Sequence, residues 1–196
     1  MGTQGYKLAA EVEYESGSVI FEVGVERDSD GDGSTTFLSR VGPPVHVVDV
    51  EPTQVERARQ LANVTAYLGL AEDVLRNWNT PIGFAWLDGH DWPYEHAPAG
   101  MWDAQEREYL ARGQAYSREA SRASHLTVAQ LVEPHIPLGG MIILDDTWEL
   151  PSVLDPTPAP GWNGKGGAAV PYLLDHGFTV TESGDIYHGF IALRRK

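Results

Sequence analysis

Five short apolar runs, separated by segments of helical periodicity, constrain this chain more than any other feature. "SVIFEVGV" (18–25), "VHVVDV" (45–50), "VTAYLG" (64–69), "IGFAWLD" (82–88) and "MIILDD" (141–146) are near-continuous in apolar residues. Strands with one wet face alternate polar and apolar; continuous runs suit strands buried on both faces of a parallel sheet. Between them, "PTQVERARQLAN" (52–63) carries Val55, Ala58, Leu61 and Ala62 at helical spacing, with Pro52 fit for a first helical position. "AEDVLRNW" (71–78) reads as a helix, and so does "HLTVAQLVEPH" (125–135), closed by Pro137 and Gly139-Gly140. "GGAAVPYLLDHG" (166–177) sets Val170, Leu173 and Leu174 on one face and stops at Gly177. "FTVTES" and "YHGFIALRR" read as a closing antiparallel pair. The alternation predicts βαβ units with right-handed crossovers and a mainly parallel sheet in one domain, 1–196, for which an apolar content of 42% supplies the core.

Ligands of such sheets bind beyond the carboxyl ends of the strands. The predicted ends carry Gly24, then Asp49 and Glu51, then Gly69 to Glu72, then Asp88, then Asp145 and Asp146. Parallel strands gather these residues on one rim. Two segments too long for simple connections, 91–124 and 147–165, would hang over that rim as lids or substrate walls, or else as surface excursions. Trp86, Trp92, Trp102, Trp148 and Trp162 cluster in the same parts of the chain and suit either an aromatic pocket wall or ordinary packing.

The formal charge of −14 and the absence of cysteine narrow the function classes. A nucleic-acid binder needs a basic face, and the largest basic cluster is the terminal "RRK", so no nucleic-acid partner is expected. Disulfides, thiolate catalysis and cysteine zinc sites are excluded. The acidity itself fits a solvated surface, a metal site or a cationic ligand. No apolar run nears the roughly 20 residues that span a bilayer. The first residues lack a basic start followed by an apolar core, and "MGTQGY" lacks the hydroxyl residue of a myristoylation signal, so a cytoplasmic protein without membrane partner is expected.

In "GVERDSDGDGSTT" (24–36), Asp28, Asp30 and Asp32 followed by Gly33 imitate the start of a calcium loop. The imitation ends there. Position 12 is Ser39 instead of a bidentate Glu, position 8 is Thr35, and a strand precedes it in place of a helix. The stretch reads better as an enlarged first strand-to-helix connection, with Ser34 and Thr35 opening the helix as hydroxyl caps. A peripheral cation site on the three acids stays open.

"FEVGV…GSTTFL", "VHVVDVEP", "AEDVL", "FAWLDGHD" and "GGMIILDDT" together resemble, in order and spacing, the class I S-adenosylmethionine-dependent methyltransferases over about residues 15 to 193. The chain is most similar to the small metal-dependent O-methyltransferases, including those acting on hydroxyls of sugars and other natural products. The resemblance implies a Rossmann-like three-layer α/β/α sandwich with a mainly parallel seven-stranded sheet and an antiparallel last strand. It implies S-adenosylmethionine as cofactor. Glu22 would hold the methionine amino group, Gly24 would let backbone approach the cofactor, and Ser34 would face the methionine carboxylate. Asp49 would accept the ribose hydroxyls, and Ala71 and Glu72 would lie near the adenine. Asp88 would serve both the cofactor site and, with Asp145 and Asp146, a Mg²⁺ site (Ca²⁺ or Mn²⁺ being alternatives) that orients the acceptor hydroxyl. Structural alternatives are a salt bridge for Glu22, a helix-capping turn for Asp49, a surface first-turn acid for Glu72 and a turn cap for one of the paired aspartates. Relatives often show "DGDH" where this chain has "DGHD", which leaves His90, Asp91 or the later His96 as general base.

The expected activity is therefore metal-assisted O-methylation of a small-molecule hydroxyl. A catalytically silent binding or assembly protein on the same fold is the alternative. A nicotinamide-dependent oxidoreductase ranks last, for want of G-x-G-x-x-G after the first strand. Residues 1–17 are short for the N-terminal helical cap that many relatives lay over the substrate. That role would pass to 91–124, to the partner in a homo-oligomer, or to a large acceptor.

Overall fold

The computed structural model describes residues 5–25, 33–91, 100, 102–150, 161–184 and 189–196. The first five apolar runs form β1 (Val19–Val23), β2 (Val45–Asp49), β3 (Val64–Leu68), β4 (Ile82–Leu87) and β5 (Met141–Asp145). The chain closes with β8 (Phe178–Ser183) and β9 (Phe190–Arg195). These seven strands make one sheet in the order β3-β2-β1-β4-β5-β9-β8, with β9 antiparallel to both neighbours. The expected Rossmann-like sheet is thus present. Its central strands β1 and β4 are buried along their whole length, which is why their sequences do not alternate.

Helices α1 (Ser34–Leu38), α2 (Pro52–Ala58), α3 (Ala71–Leu75), α5 (Arg118–Val132) and α6 (Ala169–Asp175) flank the sheet. One face packs Phe21, Ile82, Ala85, Ile142 and Leu144 against Leu75, Val128, Val132 and Leu173 of α3, α5 and α6. The other packs Ile20, Phe84, Trp86 and Ile143 against Leu38 of α1 and against Tyr6, Leu8 and Ala9. Those last three stand on a 3₁₀ turn, Gly5–Glu11. This turn covers that face of the sheet with Tyr6, Leu8 and Ala9.

The two long excursions are structured in ways the periodicity did not reveal. The 91–124 segment contains α4 (Asp103–Ala111) and the first turns of α5, which begins at Arg118 because the Ser117 Oγ accepts from the Ala120 N–H at 3.1 Å. The 147–165 segment contains an antiparallel hairpin, β6 (Thr147–Leu150) with β7 (Gly161–Gly164), and delivers Lys165 at its end. Asp28, Asp30, Asp32, Trp92 and His96 lie outside the described residues. Among the described residues no helix is long and apolar enough to cross a membrane.

Candidate active site

Gly24 ends β1 with φ +88, and a Cβ there would stand 2.5 Å from the Asp88 carbonyl oxygen. Only glycine allows the first and fourth strands to come this close while the chain turns in a left-handed conformation. Next to it, Asp49 at the tip of β2 accepts from the Val25 N–H through Oδ2 and from the Glu51 N–H through Oδ1, both at 2.7 Å. One buried carboxylate thereby braces the connection after β1 and the entry to α2. Asp49 thus braces the turn before α2 without capping the helix itself, whose N-cap is Glu51. The edge of Asp49 still reaches the pocket that opens beside it.

That pocket is an open cleft with about 420 Å³ of empty space, the solvent at its mouth included. Val23 and Gly24 of β1, Asp49 of β2, Gly69, Ala71 and Glu72 after β3, and Gly89 and His90 after β4 line it from the sheet side. Gln105 and Tyr109 of α4 and Ser124, His125 and Val128 of α5 close the opposite side. The 91–124 segment therefore does wall the rim. Of the expected cofactor residues, Gly24, Asp49, Ala71 and Glu72 are brought together here. Glu72 is oriented by Ser124, whose Oγ donates to Glu72 Oε1 at 2.7 Å.

Glu22, Ser34 and Asp88 are not among the residues lining the pocket. Glu22 is fully buried on β1 and accepts from the Ser34 Oγ at 2.5 Å. The expectation that Ser34 caps the first helix is corrected: Gly33 is the N-cap, without a side-chain cap, and the Ser34 hydroxyl is turned onto Glu22. A hydroxyl beside a buried acid in an apolar strand gives one carboxylate oxygen a hydrogen bond, which lowers the cost of burying that acid. For Trp86 the packing alternative holds. It sits in the core edge-on to Tyr6, with ring centres 5.7 Å apart, rather than in the pocket wall.

Sequence reasoning named His90 but missed Tyr109 and His125, which also line the pocket. His90 has φ 53 and stacks on Tyr109, with ring centres 4.0 Å apart. Its Nε2–H donates to the Ala115 carbonyl at 3.1 Å, and Nδ1 has no hydrogen-bond partner among the described residues. His125 is arranged the same way: Nδ1–H donates to the Ser121 carbonyl at 2.9 Å, and Nε2 has no partner there. Burial pushes both imidazoles down, His90 to about 4 and His125 to about 3. Both are neutral at pH 7, each with one lone pair unused.

At the carboxyl ends of β4 and β5, Asp88, Asp145 and Asp146 each offer an oxygen within 4.8 Å of the other two. The predicted convergence of these three is real. Two of them, Asp88 and Asp146, however, already hold a cation of the chain itself. Lys165 Nζ lies 2.7 Å from Asp88 Oδ1, 2.5 Å from Asp91 Oδ1 and 3.0 Å from Asp146 Oδ2, with the lysine side chain 1% exposed. Burial alone would lower the lysine pKa. The charges of Asp88, Asp91, Asp146 and Asp145 overcome it and hold the ammonium well above the usual lysine range. Burial and the neighbouring negative charges of Asp88 and Asp146 push the Asp145 carboxyl well above the ordinary carboxylate range. A divalent ion among Asp88, Asp145 and Asp146 would sit beside a fixed ammonium and compete with it for Asp88 and Asp146, so the seated Lys165 opposes a metal ion at this donor set.

The seat is built by the hairpin. Thr147 Oγ1 donates to the Asp145 carbonyl and accepts from the Gly166 N–H, each at 2.9 Å, and the Lys165 N–H donates to the Asp146 carbonyl at 3.0 Å. Gly164 has φ +85, and a side chain there would run into the Asp146 backbone. Asp146 itself has φ 45. His90 and Asp146 are thus two of the non-glycine residues in the left-handed region, both on this rim, where strain is maintained by surrounding contacts.

No family model matches the sequence, and no curated protein matches it. Solved structures do match in three dimensions. SMU.1697c of Streptococcus mutans, provisionally assigned as a methyltransferase and solved in complex with SAH, superposes with a TM-score of 0.59 at 14% identity, over 98% of this chain and 96% of that one. An rRNA methylase from Streptococcus thermophilus matches with a TM-score of 0.53 at 14% identity, over 97% and 93%. The glycopeptide N-methyltransferase MtfA, complexed with sinefungin, matches at 0.51 and 11% identity, over 97% and 84%. The fold is that of the S-adenosylmethionine-dependent methyltransferases.

Proposed function

We propose that the protein transfers the methyl group of S-adenosylmethionine to a hydroxyl of a small molecule. One observation carries the reading: the pocket opens at the carboxyl ends of β1 to β4, where Gly24 allows close approach and Asp49 and Glu72 present acids. Neighbours of this fold were solved with SAH or sinefungin bound, which supports the same ligand class here. The adenosine would lie between Ala71–Glu72 and α5, and the sulfonium toward the Asp88–Asp146 end of the rim. There an acceptor oxygen attacks the methyl carbon, the carbon–sulfur bond breaks, S-adenosylhomocysteine leaves, and the acceptor proton passes to a basic group. His90, unprotonated and lining the pocket, is the candidate that stays available. Asp91 is already held by Lys165. Alignment of acceptor and methyl supplies most of the acceleration.

Neighbours that methylate rRNA raise RNA as an acceptor. The formal charge of −14 favours a small molecule instead, since a polyanion would be repelled. Calorimetric titration with S-adenosylhomocysteine tests the cofactor half. Binding is expected, with thermal stabilisation of roughly 2.7 kcal/mol at 100-fold excess over Kd. An absence of binding would refute the enzymatic reading and leave a silent binding protein. Transfer of label from methyl-labelled S-adenosylmethionine to a panel of polyhydroxylated acceptors tests the other half.

A further inference from the structure

We propose that Lys165 is the resident cation of the carboxylate cluster, taking the place of a divalent metal, so that the rim operates without one. The proposal rests on the reading of this rim as the acceptor side and deepens it.

Three observations meet here. The first is geometric. An ammonium has three N–H donors, and three carboxylate oxygens, from Asp88, Asp91 and Asp146, surround Nζ within 3.0 Å. The second concerns burial. A lysine that is 1% exposed is costly unless its charge is matched, and here two of the three matching groups, Asp88 and Asp146, are acids a metal would have used. The third is the scaffold. The hairpin β6–β7 ends in Gly164, whose positive φ and close approach to Asp146 put Lys165 at the cluster, and Thr147 ties the end of β5 to the Gly166 backbone. Flexible lysines on a surface do not receive such a fixed base.

Lys165 gives two N–H groups to Asp88 and Asp91, and as an ammonium it has no lone pair with which to take a proton. Its role is positional. It holds Asp88 and Asp146 together against their mutual repulsion while leaving them partly open, at 35% and 54% side-chain exposure. A tethered monovalent charge does this without an exchangeable ion.

The test is Mn²⁺ binding to the full chain, read by electron paramagnetic resonance of the free ion, in the wild type, Lys165→Met, Lys165→Arg and Asp146→Asn. Lys165→Met is expected to bind one Mn²⁺ more than the wild type, and Lys165→Arg to bind the same number as the wild type. Equal Mn²⁺ counts in the wild type and Lys165→Met overturn the proposal. If Lys165→Met fails to fold, the wild type against Asp146→Asn decides. A wild-type ion lost in Asp146→Asn overturns the proposal, and an unchanged count upholds it. S-adenosylhomocysteine titration on the same samples separates this from the methyltransferase reading. Cofactor binding together with an Asp146-dependent ion in the wild type defeats the lysine proposal alone. No cofactor binding with the lysine-dependent count intact defeats the methyltransferase reading alone.

Discussion

Replacing His125 with Phe should flatten the response of the protein to mild acid. His125 is 4% exposed, its Nδ1–H is committed to the Ser121 carbonyl, and its Nε2 faces no donor among the described residues. Burial holds its pKa at about 3 in the folded chain, against 6.5 when exposed to water. Between those values the unfolded chain binds a proton that the folded chain refuses, so stability falls as pH falls. The stabilising contribution is complete above the unfolded value and is lost as acid is added, down to the folded value. From pH 7.5 to 5.0 the loss from this one imidazole is about 2 kcal/mol, which in a chain of this size is a drop of roughly 4–8 °C in Tm. Asp88 and Asp145, both pushed upward, act with the opposite sign over the same range, but they are present in both proteins and cancel in the comparison. Urea unfolding followed by tryptophan fluorescence, at both pH values and for both proteins, gives the difference of differences. The wild type should lose about 2 kcal/mol more than His125→Phe. Equal losses, within about 0.5 kcal/mol, would show that His125 is protonated or solvated in the folded state and would refute the reasoning.

Three further outcomes follow from the rim. Gly24→Ala forces a Cβ to 2.5 Å from the Asp88 carbonyl at φ +88, so thermal melts should drop by the equivalent of roughly 2–4 kcal/mol and S-adenosylhomocysteine titration should show no binding. Asp49→Ala strands the N–H groups of Val25 and Glu51, costing roughly 2–4 kcal/mol in urea unfolding, whereas Asp49→Asn, which keeps one acceptor, should cost less than half of that. Gly164→Ala should move the hairpin off Asp146. Its signature is a new Mn²⁺ signal like that of Lys165→Met, with thermal stability reduced by less than that of Gly24→Ala, because the hairpin lies outside the seven-stranded sheet.

Much of this fold is local information. The buried strands are legible because both faces of β1 and β4 must be apolar, and the strand ends because polar residues cannot continue into that interior. The gathering of Asp88, Asp145 and Asp146 follows from parallel strands alone. The hairpin β6–β7 was illegible because its partly exposed strands, such as "TWEL" and "GWNG", are short and carry neither helical nor strand periodicity, and the early start of α5 was masked by its polar first turns. Lys165 left only a faint trace: one of three lysines, alone between glycines in "NGKGG".

By itself, then, the order of residues determined the sheet and the edge at which acids collect, since these depend on hydrophobic period and chain direction. Tertiary structure decided what lies among those acids. Lys165 stands 77 positions from Asp88 and 74 from Asp91, and no spacing rule links them. Only the docking of a hairpin onto the tip of β5 brings an ammonium where a metal had been expected, because a buried cluster of negative charge takes whatever cation the folded chain places within reach.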